Sequence, residues 1–138
     1  KHIYDYLKET NGMAENPDVA RRLLQSDEPA NKIISEAALS HSSELCMTAL
    51  TTFVSLLGAE CGNMALNTLS FGGVYLGGGI PPKILDKLRD GSFIAAFLNK
   101  GRFASTLIKM PVYVILKEEP GLFGAACYAK IIANQAPT

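Results

Sequence analysis

The chain has 138 residues, of which 48% are hydrophobic and 19% charged, so it can bury a core and does not have the composition of a disordered segment. Its 13 Lys and Arg balance its 13 Asp and Glu, giving a net charge of +0, which argues against a polyanionic partner such as a nucleic acid. It contains no Trp, and its scattered aromatic residues do not form a base-stacking platform.

No basic segment precedes an apolar run at the start of the sequence, so no signal peptide is visible. Because the chain begins without Met, we expect it to be a piece of a longer protein. Cys46, Cys61 and Cys127 are widely spaced in apolar neighbourhoods, which predicts free, buried, reduced thiols in a cytoplasmic protein. His2 and His41 lie in no Cys/His signature, so we predict neither a catalytic thiol nor a metal site.

The first half of the chain has the apolar spacing of helices. We predict short helices over 2–9 and 18–25, and a third over 28–40 with His41 at the end of its inner face. A fourth helix, over 43–69, is apolar nearly all round, as in a core helix or a membrane span. Polar side chains interrupt it, and the helices predicted on either side have the composition of soluble helices. We therefore predict one long buried core helix and no membrane contact.

The fourth helix contains Gly58 and Gly62 four residues apart, which predicts close packing against a helix or sheet. Asn63 and Asn67 share one of its faces. Their spacing fits a buried pair with hydrogen-bond partners as well as a pair that lines a site.

A glycine-rich stretch follows, in which the short apolar run 74–76 leads into Gly77, Gly78 and Gly79, and two prolines lead into a helix over 82–90. We interpret it as a strand, a tight turn and a helix N-terminus. The local pattern fits a turn that binds no ligand as well as a turn whose backbone N–H groups bind a phosphate. A dinucleotide-binding turn is excluded because prolines stand where Gly-x-Gly-x-x-Gly requires its last glycine.

The remaining sequence predicts two further short helical segments, a strand over 112–116 that is apolar on both faces, and a last helix over 120–133. The fold class is therefore α/β, rich in helix and with few strands. Two strands buried on both faces need more strands beside them. We therefore expect part of the fold to be missing from this chain.

Taken in order, the motifs resemble the C-terminal half of bacterial-type glucokinases, members of the hexokinase–actin–Hsp70 superfamily. The motifs that carry the resemblance are residues 62–67 (GNMALN), 71–82 (FGGVYLGGGIPP), 97–102 (FLNKGR), 110–114 (MPVYV) and 121–126 (GLFGAA). The resemblance implies a ribonuclease H-like (actin-like ATPase) domain. It implies that residues 1–120 belong to the large nucleotide-binding domain and 121–138 to a connecting helix that returns toward a small domain. Because the neighbouring strands of this sheet come from upstream sequence in the superfamily, the resemblance also implies an unpaired sheet edge and uncovered helix faces, and hence a homo-oligomer.

The resemblance also implies a cytoplasmic glycolytic enzyme that phosphorylates glucose with ATP and Mg²⁺. It implies that Gly77, Gly78, Gly79 and Ile80 contact the adenosine side of ATP. The family's catalytic Asp, phosphate loop and sugar-binding residues lie before Lys1, so no catalytic residue is assigned and the chain alone is expected to be inactive. The alternative is a non-catalytic, sugar-responsive regulator or nucleotide-binding module of the same fold.

Overall fold

The structure is a computed structural model that describes residues 1–117 and 119–135. Its helices and strands, in chain order, are α1 (His2–Asn11), α2 (Pro17–Gln25), α3 (Ala30–Leu39), α4 (Glu44–Thr68), β1 (Val74–Leu76), α5 (Leu85–Arg89), α6 (Ser92–Leu98), α7 (Ala104–Leu107), β2 (Val112–Val114) and α8 (Pro120–Gln135). Single 3₁₀ turns over Pro81–Ile84 and Gly101–Phe103 precede α5 and α7.

Capping side chains and glycines set the helix ends. The Asn16 carboxamide accepts hydrogen bonds from the first backbone N–H groups of α2, at 2.9 Å from Asp18. The Ser43 hydroxyl accepts from Cys46 N at the start of α4. Gly12, with φ of 59°, ends α1. These local signals explain why the predicted helix positions are close to the observed ones.

The third helix departs from its prediction at both ends. It begins at Ala30, after Pro29, because the Ser26 hydroxyl accepts a hydrogen bond from Glu28 N in a turn before the helix. It ends at Leu39, and His41 is exposed with φ of 55°. His41 therefore lies in the turn between α3 and α4, and its predicted place on the inner face is wrong.

Helix α4 runs through the core and packs against α1, α3 and α6. The predicted close packing of its two glycines is confirmed, since both lie against the backbone carbonyls of α6. Among the described residues, α4 is long and apolar enough to cross a membrane by length and composition alone. The core helix of a soluble protein passes the same test, and 44% of the most apolar window of α4 is buried against the rest of the chain.

The two strands form a parallel pair in which Tyr75 lies opposite Tyr113. β2 is shorter than predicted and ends at Val114. The prediction that it is buried on both faces is wrong, because Tyr75 and Tyr113 stack on one another at 5.0 Å with their outer sides in solvent. Within the part of the chain that the structure describes, no third strand extends this sheet.

Helix α8 stands apart from the core, and its described side chains after Pro120 are exposed. Large apolar side chains are among them: Leu122, Phe123, Tyr128, Ile131 and Ile132. Cys127 is exposed as well, so the prediction that all three thiols are buried is wrong for this one. Cys46 and Cys61 are buried on α4, and burial raises the pKa of both thiols.

Candidate functional site

The glycine turn follows β1 directly and lies at the carboxyl end of the parallel pair. Gly78 has φ of 100°, a conformation that side chains rarely adopt. A Cβ placed on Gly78 or Gly79 would meet no atom within 4 Å, and one on Gly77 would make an ordinary contact with Ile115. The turn is therefore open toward solvent, and only Gly78 requires glycine for its backbone conformation.

The segment after the turn is not the regular helix that the sequence predicts over 82–90. It is a 3₁₀ turn over Pro81–Ile84 followed by α5. Pro81 and Pro82 have no N–H to offer, and the N–H of Lys83 is bonded to the carbonyl of Ile80 at 3.0 Å. The two prolines and Lys83 therefore offer a phosphate no free N–H group, and any backbone donors to it would have to come from residues 77–80.

A cavity of ≈ 400 Å³ lies beside the turn, with Gly79 and Ile80 on its wall. Its other walls come from α1, α3, α4 and the 3₁₀ turn. The volume lies within the range of about 300–1,000 Å³ typical of small-molecule sites. The structure thus brings two of the four predicted site residues to the cavity, while Gly77 and Gly78 shape the turn without lining it.

Most of the cavity surface is apolar. Aliphatic and aromatic side chains from four different segments line it: Ile3, Ile34, Leu50, Phe53, Ile80 and Ile84. Walls of this kind suit a flat, weakly polar group such as a heterocyclic base. Sequence reasoning missed the contributions of α1, α3 and α4, because their apolar positions have the same helical spacing as ordinary core residues.

The polar groups of the cavity include Asn31, Lys32 and Ser35 on α3, and Lys83 beside the glycine turn. Lys32 is already engaged, since its Nζ lies 2.5 Å from Glu28 Oε1 and 3.8 Å from Glu36 Oε1. The hydrogen bond from Lys32, followed by that from Arg22, lowers the pKa of Glu28 to about 2. Lys32 therefore brings little net charge to the cavity.

Tyr4 closes part of the inner wall and is 2% exposed. Its hydroxyl donates to Glu15 Oε1 at 2.6 Å, and Lys8 Nζ donates to Glu15 Oε2 at 2.5 Å. Burial, strengthened by the bond to Glu15, raises the pKa of Tyr4, so the phenol stays protonated and continues to donate. This network ties α1, which carries Ile3, to the loop before α2.

A second cavity, of ≈ 360 Å³, shares Leu50 and Lys83 with the first. His41, Asp86 and Asp90 also line it. Burial would raise the pKa of Asp90, but hydrogen bonds from Lys87 and Ser92 outweigh it and lower the pKa to about 2. Asp90 is thus held as a paired carboxylate.

The other groups considered from the sequence are not gathered into a site. Asn63 and Asn67 are both exposed, and Asn63 donates to Glu60 at 3.2 Å. Asp5 and Asp18 form ion pairs with their helix neighbours Lys1 and Arg21. Within residues 1–117 and 119–135 there is no group of three or more His, Cys, Asp or Glu side chains that could hold a metal ion.

A cavity at the carboxyl end of parallel strands, next to a glycine turn, is the arrangement with which open α/β proteins bind small molecules. A family model described as Glucokinase matches residues 1–132 of the chain. The chain therefore belongs to the glucokinase family, which confirms the resemblance seen in its motifs.

Curated relatives agree with this assignment. A glucokinase of Nostoc punctiforme is 37% identical over 94% of this chain, and the match covers 41% of that protein. A glucokinase of Psychromonas ingrahamii is 46% identical over 72% of this chain and 31% of that protein. The chain thus spans less than half the length of these relatives.

A solved structure shares the fold. The crystal structure of a glucokinase from an Antarctic psychrotroph matches with a TM-score of 0.70 and 28% identity. The match covers 91% of this chain and 36% of that one.

Proposed function

We propose that the chain is part of an ATP-dependent glucokinase, which converts ATP and glucose to ADP and glucose 6-phosphate, and that it binds the adenosine side of ATP. The observation that carries this proposal is the cavity beside Gly79 and Ile80, in a chain of the glucokinase family. Since ATP and glucose meet in the cytoplasm, the enzyme would act there.

The residues present fit an adenosine. The apolar walls can enclose a flat base, and the absence of a side chain at Gly79 leaves room for the base or ribose to approach the backbone. Ile80 is 51% exposed beside the cavity, so a bound base can cover it. Gly77 and Gly78 belong to the proposal as residues that shape the turn.

The described residues do not bring together the groups that phosphoryl transfer requires. The transfer needs a base oriented on the attacking hydroxyl, together with groups that hold Mg²⁺ and the phosphates. Among the described residues no carboxylate cluster could hold the ion. We therefore propose that the catalytic and sugar-binding groups belong to the part of the relatives' length that this chain does not span, and that the chain alone does not turn over glucose.

We propose that residues 1–120 are part of a ribonuclease H-like, actin-like nucleotide-binding domain. Residues 121–138 would form a connecting helix to a second domain, of which 136–138 lie outside the described residues. The exposed apolar side chains of α8 support this, because a connecting helix would be covered by the domain it reaches.

Binding of ADP to the purified chain tests the proposal. Ile80→Ala removes part of the cavity wall and should weaken ADP binding by about fivefold, the equivalent of roughly 1 kcal/mol of lost apolar contact. Ile108→Ala is the matched control, because Ile108 is 70% exposed and does not line the cavity. Equal affinities for ADP in both variants and in the unsubstituted chain (the parent chain) would contradict the proposed site.

A coupled assay for glucose 6-phosphate, run with the same preparation, ATP, Mg²⁺ and glucose, tests the second half of the proposal. We expect no turnover above the blank. Sustained turnover by the chain alone would show that its own residues supply the base and the Mg²⁺ ligands.

A further inference from the structure

We propose that Ser35 makes the cavity selective for a purine base with a 6-amino group over one with a 6-oxo group, with Asn31 as its partner. This inference rests on the proposed function, since it concerns which nucleotide the same cavity accepts.

Ser35 and Asn31 are placed to meet one edge of a base. They are four residues apart on α3 and therefore neighbours on one helix face. Both line the cavity, together with the apolar side chains of Ile34 and Phe53. A base held by those apolar walls would present its polar edge to the two polar groups of α3.

The hydroxyl of Ser35 is committed as a donor. It gives its single proton to the carbonyl oxygen of Lys32, at 3.0 Å. While that bond is kept, what remains for a ligand is the oxygen's lone pairs, so Ser35 accepts a further hydrogen bond. The 6-amino group of adenine supplies a donor, whereas the 6-oxo group of hypoxanthine or guanine is a second acceptor and would leave both oxygens unpaired.

Asn31 contributes affinity without deciding the base. Its side chain makes no hydrogen bond within the described part of the chain, and its carboxamide carries both donor and acceptor groups. By rotating the amide, Asn31 can donate to the N1 acceptor of adenine or accept from the N1–H of a 6-oxo purine. The discrimination is therefore assigned to Ser35.

Lys32 does not reverse this preference. An unpaired ammonium at the cavity would favour a 6-oxo group by donating to its oxygen. Lys32 is instead held by Glu28 and Glu36, and the hydrogen bond that Lys32 donates to Glu28, followed by the charge of that carboxylate, raises the pKa of Lys32. Its donors are directed to the carboxylates. Lys83 also lines the cavity, but it belongs to the 3₁₀ turn over Pro81–Ile84 and is not a helix-face neighbour of Ser35. The acceptor of Ser35 therefore sets the selectivity.

The test compares ADP with IDP, whose base is hypoxanthine, by equilibrium titration of the purified chain. We expect ADP to bind about tenfold more tightly than IDP. Ser35→Ala should weaken ADP binding by about three- to tenfold and leave IDP binding unchanged, so that the preference nearly disappears. Ser40→Ala is the matched control, since the Ser40 hydroxyl lies within hydrogen-bond distance of the Ala37 carbonyl at 3.3 Å and of the Ser42 hydroxyl at 3.1 Å, and Ser40 does not line the cavity.

Urea unfolding of each variant establishes that the titrated chain is folded. Equal binding of ADP and IDP to the parent chain, or an equal loss of both in Ser35→Ala, would overturn the inference and leave the proposed nucleotide site standing. Failure of the folded parent chain to bind either nucleotide would overturn both.

Discussion

Gly62 on α4 lies against the backbone of Phe97 on α6, so that a Cβ placed on the glycine would be 2.5 Å from the Phe97 carbonyl oxygen. Gly58 stands in the same relation to the carbonyl of Phe93, one turn earlier. The two glycines allow the helix axes to approach closely in the middle of the core. This contact also fixes α4, which supplies Leu50 and Phe53 to the cavity.

Gly62→Ala should lower the free energy of unfolding by about 1–3 kcal/mol, because α6 must move away from the new methyl group. The loss would outweigh the gain of about 1 kcal/mol that alanine brings to a helix interior. Gly124→Ala is the control, since Gly124 lies in α8 with no atom within 4 Å of its Cβ position, and it should be neutral or stabilising. Urea denaturation followed by circular dichroism measures both, and an equally stable Gly62→Ala chain would contradict the packing.

Gly78 and Gly79 should respond differently to alanine, although both lie in the open glycine turn. Gly78→Ala forces a side chain to adopt φ of 100° and should cost about 1–2 kcal/mol of stability. Gly79→Ala meets no atom of the protein, so the stability of the chain should be unchanged, while the added methyl group on this lining residue should weaken ADP binding several-fold. Urea unfolding combined with ADP titration separates the two effects. A strong loss of stability in Gly79→Ala would refute this assignment.

The lowered pKa of Glu28 predicts how the free energy of unfolding depends on pH. Its hydrogen bonds from Lys32 and Arg22 lower its pKa from an ordinary value of 4.5 to about 2 in the folded chain. A carboxylate with a depressed pKa stabilises the folded state above pH 4.5, and this contribution is lost as the pH falls from 4.5 toward 2. As the pH falls from 4.5 toward 2, the urea midpoint of Glu28→Gln should therefore fall less than that of the unsubstituted chain.

The control for Glu28 is the adjacent carboxylate of Asp27, which is exposed and forms no ion pair within the described residues. Asp27→Asn should leave the pH profile close to that of the parent chain. The same slope in the parent chain and in Glu28→Gln would show that the ion pairs of Glu28 do not contribute.

The exposed apolar surface of α8 predicts that the purified chain self-associates. Ile131 and Ile132 are 52% and 51% exposed, on a helix whose described side chains have little contact with the core. Sedimentation velocity should show a larger species that grows with concentration. Ile132→Glu should shift the distribution toward the monomer, and Leu24→Glu, at a side chain that is 86% exposed on α2, should not. A clean monomer over the whole concentration range would contradict the prediction.

Elements set by local signals could be predicted from the sequence. The strand at 74–76 coincides with β1, and the long helix at 43–69 differs from α4 by one residue at each end. The Ser43 cap and the abrupt change of composition at the glycines define those limits. The segment Pro81–Ile84 was not predicted as a 3₁₀ turn, because the sequence does not show that the N–H of Lys83 bonds to the carbonyl of Ile80, three residues earlier.

The cavity could be predicted only in part. The family resemblance pointed to Gly79 and Ile80, which line the cavity, but the facing walls come from α1, α3 and α4, tens of residues away in the chain. Asn31 and Ser35 carry no pattern that separates them from ordinary surface residues of a helix. The exposure of Tyr75 and Tyr113 was also missed, because the apolarity of a strand does not reveal which neighbours cover it.

Backbone amide chemical shifts recorded during an ADP titration test the nucleotide site most directly, because they report its position residue by residue. The largest changes should cluster at Gly79, Ile80, Asn31, Ser35 and Phe53, which line the ≈ 400 Å³ cavity. Changes confined to the second cavity around His41 and Asp86, or no saturable change at any amide, would contradict the account.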